Sequence, residues 1–212
     1  MLRYLIAFCL MLVLAPAQDP DAAGKSLVEV PTFANATCPI MGKPVSMLLF
    51  VDTELGRFYV CCKPCYKKVL ADVRTAHQTA YPVVEKLQNT VCPVSGAPVG
   101  ADAVEVTLQG HRFSVCCEGC LADARRHSQI TLLKLTRPAL TDVGNATCPV
   151  TGTPVAPNAF ALIGDALGHL ATPKAASEVA KDPAALLAKA QAIAKAQPAK
   201  PAHEHRKQEA GK

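Results

Sequence analysis

One short sequence block occurs three times in this chain, and this repetition constrains the fold more than any other feature. Each copy reads Asn-x-x-Cys-Pro-x-x-Gly-x-Pro-Val, and the copies begin at Asn35, Asn89 and Asn145. The period of about 55 residues is typical of a tandem array of small units. Aromatic residues make up only 5% of the chain and Trp is absent, so each unit can bury only a modest core. We therefore expect each unit to need an additional staple, such as a metal ion or a disulfide.

Each copy of the block is followed by sequence typical of a β-hairpin and then of a helix. Two short runs rich in apolar residues flank a turn in each copy, which predicts hairpins with strands at 46–51 and 57–60, at 103–108 and 111–115, and at 159–164 and 168–171. Apolar residues at helical spacing come next, and we expect Pro82 to break the first helix, with 83–87 forming its second half. The sequence thus predicts an α+β fold of tandem ββα modules that ends in an Ala/Lys-rich helix at 183–197.

The N-terminus has the pattern of a secretory signal peptide. Arg3 precedes an apolar stretch at 4–14, and Ala15-Pro16-Ala17 offers a small-residue cleavage site. Because this stretch is shorter than the ~20 residues that a membrane span needs, we expect a periplasmic or secreted protein with no stable membrane insertion after cleavage. The predicted organisation is a signal peptide (1–17), a linker (18–32), two complete modules (33–88 and 89–143), a degenerate third module (144–197) and a disordered basic tail (198–212).

Cysteines stand at matching places in the first two copies. These candidate metal ligands are Cys38, Cys61, Cys62 and Cys65 in the first copy, and Cys92, Cys116, Cys117 and Cys120 in the second. The turn presents one thiol, and the hairpin returns the chain to the other three at the start of a helix. There, Cys62 and Cys65 are three residues apart and Cys61 and Cys65 are four apart, so either pair can share one helix face. Converging thiolates favour Zn²⁺ or Cu⁺, and we predict two bound ions, one per complete copy. The third copy keeps only Cys148 and is expected not to bind metal alone.

These residues resemble the TRASH and YHS group of small metal-binding domains. The resemblance lies in Cys-Pro-Val-x-Gly-x-Pro-Val followed by Gly-x-x-Phe-x-x-Cys-x-x-x-Cys and a helix. It implies treble-clef-like modules and a role in trafficking, resistance or sensing of heavy metals. The residues that match the three family cysteines are Cys38, Cys61 and Cys65 in the first copy, and Cys92, Cys116 and Cys120 in the second. Cys62 and Cys117 depart from the family pattern, and a fourth thiolate would close a structural zinc site, whereas three suit Cu⁺ or leave an open position.

Two other readings of the cysteines stay open. In an oxidising compartment, four cysteines per copy can instead form two disulfides, giving an interaction module without metal. Cys62 and Cys65 also have the Cys-x-x-Cys spacing of a thiol–disulfide oxidoreductase, but each copy is too short for a thioredoxin-like core. The basic residues lack interleaved aromatic residues, which argues against nucleic acid as a partner. We therefore predict a non-enzymatic protein whose partners are a metal ion and, in a further role, another extracytoplasmic protein.

Overall fold

A computed structural model describes residues 28–198 of the chain. In this range the fold is α+β, as the sequence predicts, with six α-helices and nine short strands. The predicted signal peptide, most of the predicted linker and the tail from residue 199 lie outside the described residues. No helix among residues 28–198 is long and apolar enough to cross a membrane.

The elements follow the repeat. The first copy contains β2 (Ser46–Thr53), β3 (Gly56–Val60), α1 (Pro64–Ala71) and α2 (Val73–Ala80), preceded by β1 (Val28–Glu29). After β4 (Glu85–Lys86), the second copy contains β5 (Val104–Leu108), β6 (His111–Val115), α3 (Glu118–Arg126) and α4 (Ser128–Thr136). After β7 (Thr141–Asp142), the third contains β8 (Phe160–Ile163), β9 (Ala166–His169), a 3₁₀ turn (Pro173–Ala175), α5 (Ala176–Val179) and α6 (Pro183–Ala196).

The three predicted hairpins are present, each as an antiparallel pair of strands. The second strand of the third hairpin lies two residues earlier than predicted, because the chain reverses at Gly164 and Asp165. Gly164 has a φ of +59°, the left-handed conformation that a two-residue hairpin turn requires and that glycine adopts without strain.

The predicted helix at 83–87 is wrong. Helix α2 ends at Ala80, and the chain then becomes extended, so that β4 pairs in parallel with β6 of the second repeat. The backbone N–H of Glu85 donates to Gly110 O at 2.8 Å, and that of Leu87 donates to Arg112 O at 2.8 Å. Pro82 does end the helical run, as expected, but a neighbouring sheet edge then satisfies the following backbone groups better than a new helix would.

Short strands join each repeat to the next one. Strand β4 extends the hairpin of the second repeat into a sheet with the order β4-β6-β5. Strand β7 does the same for the third repeat, where β1 adds to the other edge to give the order β1-β8-β9-β7. The part of the predicted linker that the structure describes is therefore not a free connector, since it pairs with the third repeat.

A buried polar network lies where the repeats meet. The side chain of Gln109 donates to Phe33 O at 2.6 Å and accepts from the side chain of Gln129 at 2.8 Å. Gln129 in turn accepts from Phe33 N at 3.1 Å, so the three residues close a ring of hydrogen bonds. Gln109 has a φ of +47°, which is uncommon for a residue with a side chain. This conformation points the glutamine amide into the junction instead of into solvent, where a hairpin turn usually faces.

An ionic cluster ties α4 to the sheet of the third repeat. One carboxylate oxygen of Asp142 lies 2.7 Å from His169 Nε2, and the other lies 2.6 Å from Lys134 Nζ. All three side chains are half-buried. Burial raises the pKa of the Asp142 carboxyl, but His169 and Lys134 outweigh burial and hold the pKa well below its usual range.

Candidate metal centres

Each repeat presents its first cysteine on the same tight turn, which we call the knuckle. In the first knuckle, Cys38 N donates to Lys43 O at 2.8 Å, and Gly42 N donates to Cys38 O at 2.8 Å. Gly42 has a φ of +63°, which explains the glycine of the repeated block. The knuckles of Cys92 and Cys148 show the same two hydrogen bonds. The turn therefore fixes one buried thiol in each repeat at an equivalent place.

An asparagine clamps each knuckle to its hairpin; it is buried in the first and third repeats and half-buried in the second. The Asn35 side chain accepts from Tyr59 N at 2.8 Å and donates to Tyr59 O at 2.9 Å and to Thr37 O at 2.8 Å. Asn89 and Asn145 make the same three contacts in their own repeats. The clamped strand residue lies two positions before the first cluster cysteine, so the clamp brings knuckle and cluster together. Sequence reasoning gave these asparagines no role, although they recur three residues before every knuckle cysteine.

The first cluster gathers three thiols from the knuckle, the end of β3 and helix α1. The Sγ atoms of Cys38, Cys61 and Cys65 all lie within 4.8 Å of one another. Cys61 Sγ is 3.9 Å from Cys65 Sγ, and Cys65 sits in the first turn of α1. The fourth candidate, Cys62, lies beside this group, with its Sγ 3.3 Å from Cys65 Sγ and 3.8 Å from Cys61 Sγ.

The second cluster repeats this arrangement around α3. The Sγ atoms of Cys92, Cys116 and Cys120 lie within 4.8 Å of one another, and all three residues are buried. Cys116 Sγ is 3.5 Å from Cys120 Sγ. Cys117, at the N-cap of α3, is half-buried, and its Sγ lies 4.0 Å from Cys116 Sγ. In both repeats the first of the two adjacent cysteines joins the compact group of three, and the second lies at its side.

The third repeat has a knuckle without a cluster. Asn145 clamps His169, which is therefore equivalent to Tyr59 of the first repeat. Counting from this residue, Ala171, Thr172 and Ala175 occupy the positions of the three cluster cysteines. Cys148 is fully buried and packs in the apolar core of this repeat. Among residues 28–198, the two groups described above are the ones whose His, Cys, Asp or Glu side chains are placed to hold a metal ion.

The protonation of the thiols differs within each cluster. Burial raises the pKa of the Cys38 thiol, but backbone N–H groups of Cys61 and of the knuckle outweigh burial and bring it to about 7. Cys92 likewise has a pKa of about 7, because the Ser95 hydroxyl and nearby N–H groups outweigh burial. Burial instead raises the pKa values of the Cys65 and Cys120 thiols far above their usual range. Each cluster thus holds one thiol that ionises near neutral pH and one that keeps its proton until a cation displaces it.

The sulfur spacing fits a small thiophilic ion. Four sulfurs at the zinc–thiolate distance of about 2.3 Å form a tetrahedron with edges of about 3.8 Å, and three sulfurs around Cu⁺ give a similar spacing. The Cys61–Cys65 separation of 3.9 Å and the Cys116–Cys120 separation of 3.5 Å lie close to this length, and the remaining sulfur separations in each group of three are at most 4.8 Å. The described cysteines are free thiols, and the 3.3 Å between Cys62 and Cys65 is well beyond a disulfide bond of about 2.05 Å.

No protein-family model, no curated protein and no solved structure matches this chain. The two thiol clusters and the elements that hold them are therefore the features that indicate a function. Sulfur ligands restrict the metal ions that the clusters could hold, because thiolates select soft and borderline ions over Mg²⁺ or Ca²⁺.

Proposed function

We propose that this protein is a non-enzymatic, extracytoplasmic metal-binding protein that holds two ions of Zn²⁺ or Cu⁺, one in each cysteine cluster. The observation that carries the proposal is the convergence of three thiols within 4.8 Å, twice, on equivalent elements. The signal-like sequence at 1–17 supports the extracytoplasmic address. The knuckle, hairpin and helix around each cluster support TRASH/YHS-like, treble-clef-like modules, the third one without its ligands.

The chain's own residues supply a scaffold that needs little rearrangement to receive an ion. The knuckle cysteine would provide one thiolate, because its pKa of about 7 allows it to ionise near neutral pH. The hairpin and helix cysteines would supply the other two sulfur ligands. Zn²⁺ or Cu⁺, when bound, supplies cross-links between segments that are distant in sequence. Because each repeat has a small core, the binding free energy also stabilises the fold.

Native mass spectrometry of the mature protein, reduced and reconstituted anaerobically with Zn²⁺ or Cu⁺, tests this proposal. We expect two bound ions in the wild type, two in Cys148→Ser and one in Cys120→Ser, because only the last variant breaks a cluster. Three or more ions of comparable affinity would contradict our account of the third repeat. A wild type that binds no ion would refute the proposal.

The adjacent cysteines provide a second comparison within the same experiment. The compact groups contain Cys61 and Cys116, so Cys61→Ser/Cys116→Ser should lose metal severely. Cys62→Ser/Cys117→Ser should keep both ions with a modest loss of affinity. The reverse ranking would assign the Cys-x-x-Cys pairs as the ligands.

The close approach of Cys62 and Cys65 keeps a disulfide as the competing state. A disulfide lowers the mass of the protein by about 2 Da, whereas a bound ion raises it by the mass of the metal less the displaced protons. Protein taken from its own compartment and weighed without reductant therefore separates the two states. A mass deficit without added metal would favour the disulfide-stapled module.

A further inference from the structure

The two clusters differ in how far they are covered. In the first, Cys61 is half-buried, whereas the equivalent Cys116 of the second is buried. The Ser95 hydroxyl lies 3.3 Å from Cys116 Sγ and closes that side of the second cluster. The equivalent residue of the first knuckle is Met41, whose side chain is 50% exposed. The sulfurs of the first cluster are therefore easier to reach from solvent.

The charges around the two clusters are opposite in sign. Four exposed lysines lie within five residues of a cysteine of the first cluster, namely Lys43, Lys63, Lys67 and Lys68. The equivalent positions of the second repeat carry two acidic and two neutral residues, namely Glu118, Asp123, Ala97 and Ala122. Lys63 is the N-cap of α1 and follows Cys62 directly, and Lys43 provides the carbonyl that accepts from Cys38 N. The basic residues of α3, Arg125 and Arg126, lie at its far end.

Apolar side chains also stand exposed beside the first cluster. The pairing of β2 with β3 shifts between Ser46 and Phe50, so the intervening residues bulge outward opposite Tyr59 and Val60. Leu48 in this bulge is 87% exposed and Met47 is 48% exposed. Because Val60 immediately precedes Cys61, the bulge lies next to the cluster. The second hairpin pairs residue by residue without such a bulge.

We propose that the first cluster is an exchange site, and that its rim of lysines and exposed apolar side chains docks an acidic surface of a metal-carrying protein with thiolate ligands. This inference rests on the metal-binding function proposed above. Charge complementarity favours an acidic partner, and the exposed apolar bulge provides area that docking would bury. The second cluster, covered and bordered by acidic residues, keeps its ion as part of the fold.

The transfer is a ligand exchange without oxidation or reduction. A thiolate of the first cluster forms a bond to the metal on its accessible side while one bond from the metal to a partner thiolate breaks. The metal keeps its charge throughout. A cluster thiol that is still protonated gives its proton to solvent as it binds the metal, and the released partner thiolate takes a proton from solvent. Repetition of this step moves the ion completely, and the reverse sequence returns it.

Isotope exchange by native mass spectrometry tests the inference on the full-length protein. The protein is loaded with one zinc isotope and mixed with a synthetic peptide that carries a heavier zinc isotope on one Cys-x-x-Cys pair. Two peptides are compared, one flanked by four glutamates and one by four lysines. We expect one rapidly exchanging ion, with the glutamate peptide faster by at least about 10-fold at low ionic strength. The difference should shrink in about 1 M salt, where the Debye length falls to about 3 Å.

Charge-reversal variants assign the exchange to the first cluster. Lys63→Glu/Lys67→Glu leaves two lysines and two glutamates on this rim, so it should abolish the preference between the two peptides, whereas the matched control Glu118→Lys at the second cluster should leave the preference unchanged. Cys120→Ser, which breaks the second cluster, should keep the rapidly exchanging ion. Equal rates for the two peptides with the wild-type protein, or loss of the fast phase in Cys120→Ser, would overturn the inference. Failure of the proposed function is distinguishable, because the protein would then hold no zinc before any peptide is added.

Discussion

Replacing Asn35 by alanine removes three hydrogen bonds that hold the first knuckle against β3. The change leaves Tyr59 N, Tyr59 O and Thr37 O without their partner in a place where Asn35 itself is only 2% exposed. A lost hydrogen bond costs about 1 kcal/mol, and a backbone group left buried without a partner costs about 1–3 kcal/mol. We therefore expect Asn35→Ala to lower the free energy of unfolding by about 3 kcal/mol, and also to weaken metal binding in the first cluster.

Asn145→Ala is the matched control, because the third repeat has the same clamp without a cluster. Urea denaturation of the reduced, metal-free protein should give losses of similar size for the two variants. Chelator competition should then show weaker binding of one ion in Asn35→Ala and unchanged binding in Asn145→Ala. A loss of stability below about 0.5 kcal/mol would refute the hydrogen-bond argument, since surface substitutions alone reach that size. Equal metal affinity in the two variants would refute a positioning role for the clamp.

Two further predictions concern contacts between the repeats. Asp142→Asn should lower the free energy of unfolding by about 1–3 kcal/mol at neutral pH, because it leaves Lys134 and His169 without their carboxylate. The folded-state pKa of Asp142 lies below that of the unfolded chain, so its contribution is complete above about pH 4 and is lost as the pH falls towards the folded-state pKa. Urea denaturation at a series of pH values should show that the stability difference between wild type and Asp142→Asn narrows as the pH falls. A difference that stays constant would contradict the role given to the Asp142 carboxylate. Gln109→Ala should lower the free energy of unfolding by about 2–4 kcal/mol, because it breaks the ring of hydrogen bonds with Phe33 and Gln129. Gln109→Asn should lose a comparable amount, because its shorter side chain cannot span the junction. Thermal melting measures both losses, and a wild-type melting temperature for either variant would contradict the network.

The cysteine groups show how far local sequence specifies a site. The repeated block determines the knuckle, because Cys38 and Gly42 form their hydrogen bonds within six residues. The hairpin pattern determines that the chain returns to the helix start, so membership of each cluster could be predicted. Helix spacing alone did not decide which of Cys61 and Cys62 joins the compact group, since both spacings suit a helix, whereas the family resemblance pointed to Cys61. In the structure both precede α1, and the end of β3 aims Cys61 at the knuckle.

Local signals also determined the hairpins and the Ala/Lys-rich helix α6, since alternation, turn residues and helix propensity act over a few residues. Contacts between residues distant in sequence decided how the repeats join one another. Residues near Glu85 became a strand because an edge of the next sheet was free to accept them, and β1 joined the third repeat across more than a hundred residues of chain. The left-handed conformation of Gln109 is what the two-residue turn of its hairpin requires, but only the folded chain brings Phe33 and Gln129 to its amide. Such pairings leave no periodic trace in the sequence, because each partner satisfies its hydrogen bonds only after the chain has folded.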